Sequence, residues 1–200
     1  MKTNNRVYRI ALVGLFAALS YVVFTFLQIK ITLPGGDATS IHLGNAVVVL
    51  GALILGGPLG GLAGAIGMSI GDLFDPVYIT LVPKTFVLKL CIGLITGLVA
   101  HKLGKLNQQT DRKKIFAWAL AAAIAGLLFN CVFDPLVGYY YKLWILGKPA
   151  AELTLAWNIA STSINAVLST IVSVAVYLVL RPALAKAGIM KKIWGDQFAA

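Results

Sequence analysis

The sequence predicts an all-α integral membrane protein with six transmembrane helices and both termini on the cytoplasmic side. Three observations carry this. The 200-residue chain is 59% hydrophobic and only 12% charged, against about 25% charged for an ordinary soluble domain. Its apolar residues fall in continuous runs of helical length, without the two-residue alternation of a membrane β-barrel. Its formal charge of +10 is concentrated just outside those runs. That is the pattern of cytoplasmic membrane loops, and it argues against a nucleic-acid-binding face. The expected organisation is one membrane domain over residues 1–200, with a basic membrane-surface tail at 181–200.

Helix one is expected at about 10–28, after Lys2, Arg6 and Arg9. The run is too long for a signal-peptide core and no Ala-x-Ala site follows, so it reads as a retained span. Gly14 and Ala18, with Ala17 beside them, form a small-residue face that admits another helix closely. A helix of the same chain and a docking partner satisfy it equally. Residues 29–41 read as a loop punctuated by Pro34, Gly35 and Gly36. Its flanks Ile31 and Leu33 mark a loop that folds onto something, such as a lid over a pocket.

Helices two (43–56) and three (59–74) have about 15 residues each, or about 22 Å. That falls short of the roughly 30 Å hydrocarbon core, so their ends need shelter inside protein or irregular extensions. Gly60, Gly64, Gly67 and Gly71 form a packing stripe on helix three. The stretch from Gly71 to Lys89 then gathers Asp72, Asp75, Lys84 and Lys89 around one connection. An ionisable group costs about 2.5–3.5 kcal/mol at the centre of a membrane helix, and the stretch reads as part of the mouth of a small-molecule pocket.

Helix four is expected at 84–103, opened by Pro83. Lys89 lies more than a turn inside it. Snorkelling to the surface is one reading; a pocket cation paired with a ligand or with Asp72, Asp75 or Asp134 is the preferred one. Helix five (115–141) carries Asn130 and Asp134 four apart, then Pro135 and Tyr139, Tyr140 and Tyr141. The tyrosines fit an interfacial belt or an aromatic wall for a ring-shaped ligand. Helix six (153–180) places Asn158, Ser161, Thr162, Asn165 and Ser169 on one face, beside Trp157. Two asparagines on one membrane-helix stripe are costly unless partnered, which favours a ligand-facing role.

With the N-terminus inside, the cytoplasmic segments leave only Lys30, Lys84, Lys89, Lys142 and Lys148 of the basic residues elsewhere. The polar clusters around His42, Asn45, Asp72, Lys84, Lys89, Asn130, Asp134, Tyr139, Trp157, Asn158, Ser161 and Asn165 then converge towards the outer face, as an outward-facing cavity requires. Cys91 and Cys131 lie in apolar runs, with no disulfide framework or metal-ligand spacing. No phosphate-binding loop, cofactor motif or metalloprotease motif is present, and His42 and His101 fall on opposite sides. A binding subunit therefore fits better than a small intramembrane enzyme; a scaffold or channel subunit is the other competing class.

The chain resembles the substrate-binding S component of an energy-coupling factor (ECF) vitamin transporter. The resemblance rests on the basic N-terminus with Gly14-x-x-x-Ala18, His42-Leu-Gly-Asn45, Gly56-Gly-Pro-Leu-Gly60, and Gly71-Asp72 followed by Pro83-Lys84-Thr85 and Lys89. It extends roughly from Arg9 to Arg181. The family usually has Ala-x-x-x-Ala in helix one, and glycine at position 14 keeps the small-residue requirement. The resemblance implies a multi-pass protein of a bacterial cell membrane that captures a water-soluble vitamin outside and delivers it inward by toppling. It implies a transmembrane coupling subunit and two cytoplasmic ATPases as partners, with Gly14, Ala17 and Ala18 facing the coupling subunit. It implies no cofactor. Among substrates it looks closest to pyridoxine (vitamin B6) or hydroxymethylpyrimidine, with pantothenate or riboflavin as alternatives.

Overall fold

A computed structural model describes residues 2–33, 36–147 and 151–199. Pro34 and Gly35 of the expected turn, and Lys148, lie outside the described residues. The order is α1 (Lys2–Phe26), β1 (Gln28–Leu33), β2 (Asp37–His42), α2 (Gly44–Leu55), α3 (Gly57–Leu73), α4 (Val82–Gly97), α5 (Arg112–Tyr140), α6 (Ala151–Lys186) and α7 (Ile189–Trp194). A π-helical turn at Leu98–Leu103 prolongs α4, and another at Tyr141–Ile145 prolongs α5.

Among the described residues four segments are long and apolar enough to cross a membrane: Arg6–Phe26, Ile79–Leu103, Arg112–Ile145 and Thr154–Lys186. The two short helices solve their length problem by burial. All twelve residues of α2 are buried, as expected for a helix that is apolar all round. It is wrapped by protein and needs little lipid-matched length.

The neighbouring α3 is the packing centre, and its glycines explain why. On one side Gly60 touches the backbone of Ala52 and Gly64 faces Val48, both on α2. On another, Gly67 meets the Ala17 carbonyl and Gly71 meets Phe24, both on α1. Gly57 and Gly61 press on Gly97 and Gly93 of α4, backbone against backbone. Small residues permit such approaches, and dispersion between close backbones supplies the attraction. Gly56, at φ +92°, makes the sharp α2–α3 turn that places these faces together.

Two expectations are corrected. In place of the expected loop, Gln28–Leu33 and Asp37–His42 pair as antiparallel strands, with Gln28 opposite His42 and Leu33 opposite Asp37, so the described fold is helical with one two-stranded sheet. The alternating, β-branched Gln-Ile-Lys-Ile-Thr-Leu run accounts for β1. The tail is also no simple membrane-surface segment. Helix α6 runs on to Lys186, and α7 folds back with Met190 and Ile193 fully buried. Trp194 Nε1–H donates to the Ile54 carbonyl at 2.8 Å, and Arg9 donates to the Ile193 carbonyl. The α7 segment thereby satisfies a carbonyl at the end of α2 that would otherwise lack a partner.

A single methyl group at Gly60 has only backbone to push against. Gly60→Ala is expected to destabilise by about 1–3 kcal/mol or more, read as a lower thermal midpoint in detergent. Gly14→Ala meets nothing within 4 Å and should stay within about 0.5 kcal/mol of the parent.

Candidate functional site

At one end of the bundle the hairpin, α3, α4, α5 and α6 enclose a polar cavity of about 90 Å³. Strand β2 contributes Thr39, Ser40 and His42; α3 contributes Met68 and Asp72; α4 contributes Lys84, Thr85 and Lys89. From α5 come Asp134, Pro135 and Gly138, and from α6 Asn158, Ser161, Thr162 and Asn165. Phe24, Tyr78 and Lys142 complete the wall.

The chemistry centres on Asp134. Its carboxylate accepts from Lys84 and, at 3.4 Å, from Lys89. Asn130 braces this pair: its Oδ1 accepts from Lys89 at 3.3 Å and its Nδ2 lies 3.5 Å from Asp134 Oδ2. Lys89 is only 4% exposed, too deep for snorkelling, and its carboxylate partner is Asp134. Buried cations persist only when paired and hydrogen-bonded in this way. Pro135 has no amide hydrogen, so the helical bond to the Cys131 carbonyl is missing beside the carboxylate.

The hairpin is clamped onto α6. Asn165 Oδ1 accepts from the His42 amide at 2.8 Å while its Nδ2 donates to the Ser40 carbonyl at 2.9 Å. One side-chain amide thus pairs with β2 as a neighbouring strand would. Thr39 and Ser161 hydroxyls meet at 2.6 Å, and Lys142 beyond α5 pairs with buried Asp37. The His42 imidazole accepts from the Gly44 amide through Nδ1 at 3.2 Å. Burial, aided by the Lys89 charge, lowers its pKa to about 3. It is therefore a neutral ring that keeps Nε2–H as a donor.

These bonds separate committed groups from open ones. Asn165, Lys84 and Lys89 are held by protein. Asp72 is 3% exposed and lines the cavity; its carboxylate accepts from the Thr85 hydroxyl, but among the described residues it has no lysine or arginine within ion-pair distance. The Asn158 side chain also lines the cavity without a protein partner among the described residues.

Other expected site residues lie elsewhere. Asn45 is buried on α2 and Asn130 sits behind Lys89, both outside the lining. Tyr139 points to Glu152 at 3.4 Å, and Trp157 is 52% exposed on the outer surface of α6. At the end of α5, exposed Tyr140 and Trp144 lie in tilted ring contact at 4.6 Å, which fits an interfacial belt. Asp75 lies outside the cavity in a 2.7 Å pair with Lys30. On α1, Gly14 and Ala18 lie on the uncovered face, whereas Ala17 is half-buried against the core. Thr39, Ser40 and Tyr78 were not among the expected site residues; the first two were hidden in a segment read as loop.

Replacing Asp134 by Asn leaves two lysines beside one neutral amide. A loss of about 3–5 kcal/mol of stability is expected, measured by denaturation in detergent. Asn158→Ala, which breaks no protein bond, should leave the midpoint unchanged.

Residues 4–182 match the family model described as "ECF-type riboflavin transporter, S component". Comparison with curated proteins finds no match, and comparison with solved structures finds none. S components bind small vitamin substrates in multi-pass membrane proteins and work with a coupling subunit and ATPase modules. The match runs from residue 4 through the polar stripe of α6 to residue 182, and the docked tail lies beyond it. The chain belongs to the ECF-type riboflavin transporter S-component family.

Proposed function

We propose that this S component captures an uncharged, single-ring vitamin or precursor, pyridoxine or hydroxymethylpyrimidine, in the cavity beneath the hairpin. The observation that carries the reading is buried Asp72, which holds a hydrogen bond from Thr85 but, among the described residues, no ion pair, in a small and charge-balanced cavity. Lys84 and Lys89 share Asp134, and Lys142 has Asp37. The three lysines therefore leave no surplus positive charge to attract an anion such as pantothenate once Asp72 is counted. Asp72 accepts from a ligand hydroxyl or ring N–H, Asn158 supplies a matching donor and acceptor, and His42 Nε2–H donates. Phe24 and Tyr78 supply flat apolar surface for the ring.

Size supports the same choice. A cavity of about 90 Å³ lies well below the about 300–1,000 Å³ of drug-sized ligand pockets, which favours the smaller candidates over riboflavin. Riboflavin is the second reading, favoured by the description of the matching family. It requires the hairpin to move outward to admit three fused rings.

In the membrane, six crossings put both termini in the cytoplasm and the cavity at the outer face. The uncovered small face of α1 at Gly14 and Ala18 receives the coupling subunit, and ATP hydrolysis by partner subunits drives delivery. Bulk on that face should separate binding from transport: Gly14→Trp with Ala18→Trp retains ligand affinity and abolishes uptake. Uptake at the parental rate in cells carrying this double variant would refute docking there.

Calorimetric titration of the purified protein with pyridoxine, hydroxymethylpyrimidine, pantothenate and riboflavin tests the substrate. One of the first two should bind tightest. Asp72→Asn should weaken that ligand about 10- to 150-fold, the worth of a charge-assisted hydrogen bond. Tightest binding of riboflavin, or an Asp72→Asn variant with unchanged affinity, contradicts the assignment.

A further inference from the structure

A second cavity, of about 640 Å³, opens at the end of the bundle opposite the polar one, between the start of α5 and the end of α6. Its two levels differ in chemistry. Phe116 and Leu178 line the level nearer the centre of the helices, and Phe198 of the tail walls it. The rim is Arg112, Arg181 and Lys186, and among the described residues no Asp or Glu lines the cavity. Arg112 is the first residue of one membrane-crossing segment and Lys186 the last of another. Both therefore sit at the polar end of an apolar helix, on the side where it gives way to water.

The three cations are not equivalent. Arg181 is a fixed part of the wall: it donates to the carbonyls of Gln109 at 2.7 Å and Leu106 at 3.3 Å, under the Phe198 ring. Arg112 and Lys186 are exposed, and among the described residues neither forms an ion pair. Two free cations over an apolar slot at the membrane boundary are complementary to a molecule with an anionic head and a hydrocarbon tail.

We propose that this cavity is a binding site for one anionic glycerophospholipid, its phosphate held between Arg112 and Lys186 and an acyl chain laid along Phe116 and Leu178. The site is independent of the vitamin reading, because it shares no residue with the polar cavity. A lipid fixed there ties the cytoplasm-proposed end of α5 and α6 to the bilayer surface.

The test uses full-length protein in nanodiscs of phosphatidylcholine alone or with phosphatidylglycerol, followed by delipidation and native mass spectrometry. Wild-type protein is expected to keep one phosphatidylglycerol in preference to phosphatidylcholine. The Arg112→Gln, Lys186→Gln double variant should retain it about 30-fold more weakly. A Lys113→Gln, Lys114→Gln control removes the same charge from exposed residues outside the cavity and should retain the lipid as wild type does. Circular dichroism checks that both variants keep their helix content. Equal retention of the two lipids by wild type overturns the proposal. So does equal loss in both variants, which would mean diffuse attraction without a site. A rim variant that binds lipid normally but fails to assemble with the coupling subunit assigns the groove to that protein partner and also overturns it.

Discussion

The structure depends on how closely backbones approach α3. Gly57, Gly60, Gly61, Gly64, Gly67 and Gly71 leave that helix almost without side chains on three sides. Helices α1, α2 and α4 therefore press onto it, with Gly60 on Ala52 and Gly61 on Gly93 in backbone contact. In a bilayer, lipid tails are as apolar as leucine, so attraction between helices must come from close contact and polar pairing. The glycines supply the first. They also bring Asp72, at the end of α3, within one cavity of Lys84 and Lys89 at the start of α4.

Polar pairing supplies the second. A buried lysine in an apolar bundle is tolerable only as one member of a satisfied set. Here Asp134 pairs with both Lys84 and Lys89, Asn130 orients the set, and Asn165 stitches the hairpin to α6. The consequence for function is a division of labour. Groups spent on holding the cavity in shape are unavailable to a ligand, and in the proposed reading those less committed, chiefly Asp72 and Asn158, are the ones a ligand would meet. A site whose charges are already balanced selects for hydrogen-bonding pattern and size rather than for net charge.

Much of this was legible in the sequence. The apolar runs located the helices, and the glycine stripe on α3 was visible as a packing face. Four-residue spacing put Asn158, Ser161, Thr162 and Asn165 on one stripe, and they do line one cavity. What sequence spacing could not resolve was contact across elements. Asp72, Asp75 and Asp134 were equivalent candidates for Lys89 until α4 and α5 were packed side by side. The hairpin was hidden by its turn residues, whose loop signal outweighed twelve residues of strand. Trp157 and Tyr139 were drawn into the expected site because aromatic residues serve equally at ligands and at membrane interfaces. The docked tail was missed because a short basic segment with a tryptophan reads as interfacial, and only the fold reveals that Trp194 caps α2.

The most direct test of the binding reading is native mass spectrometry of the protein purified gently from its own membrane, with the released small molecule identified. One neutral single-ring vitamin or precursor per chain is the expected result, displaced on Asp72→Asn substitution. Release of riboflavin or of an anionic vitamin would contradict the assignment of the cavity's ligand. A protein that emerges empty and shows no thermal shift with any water-soluble vitamin would contradict the assignment of the cavity itself.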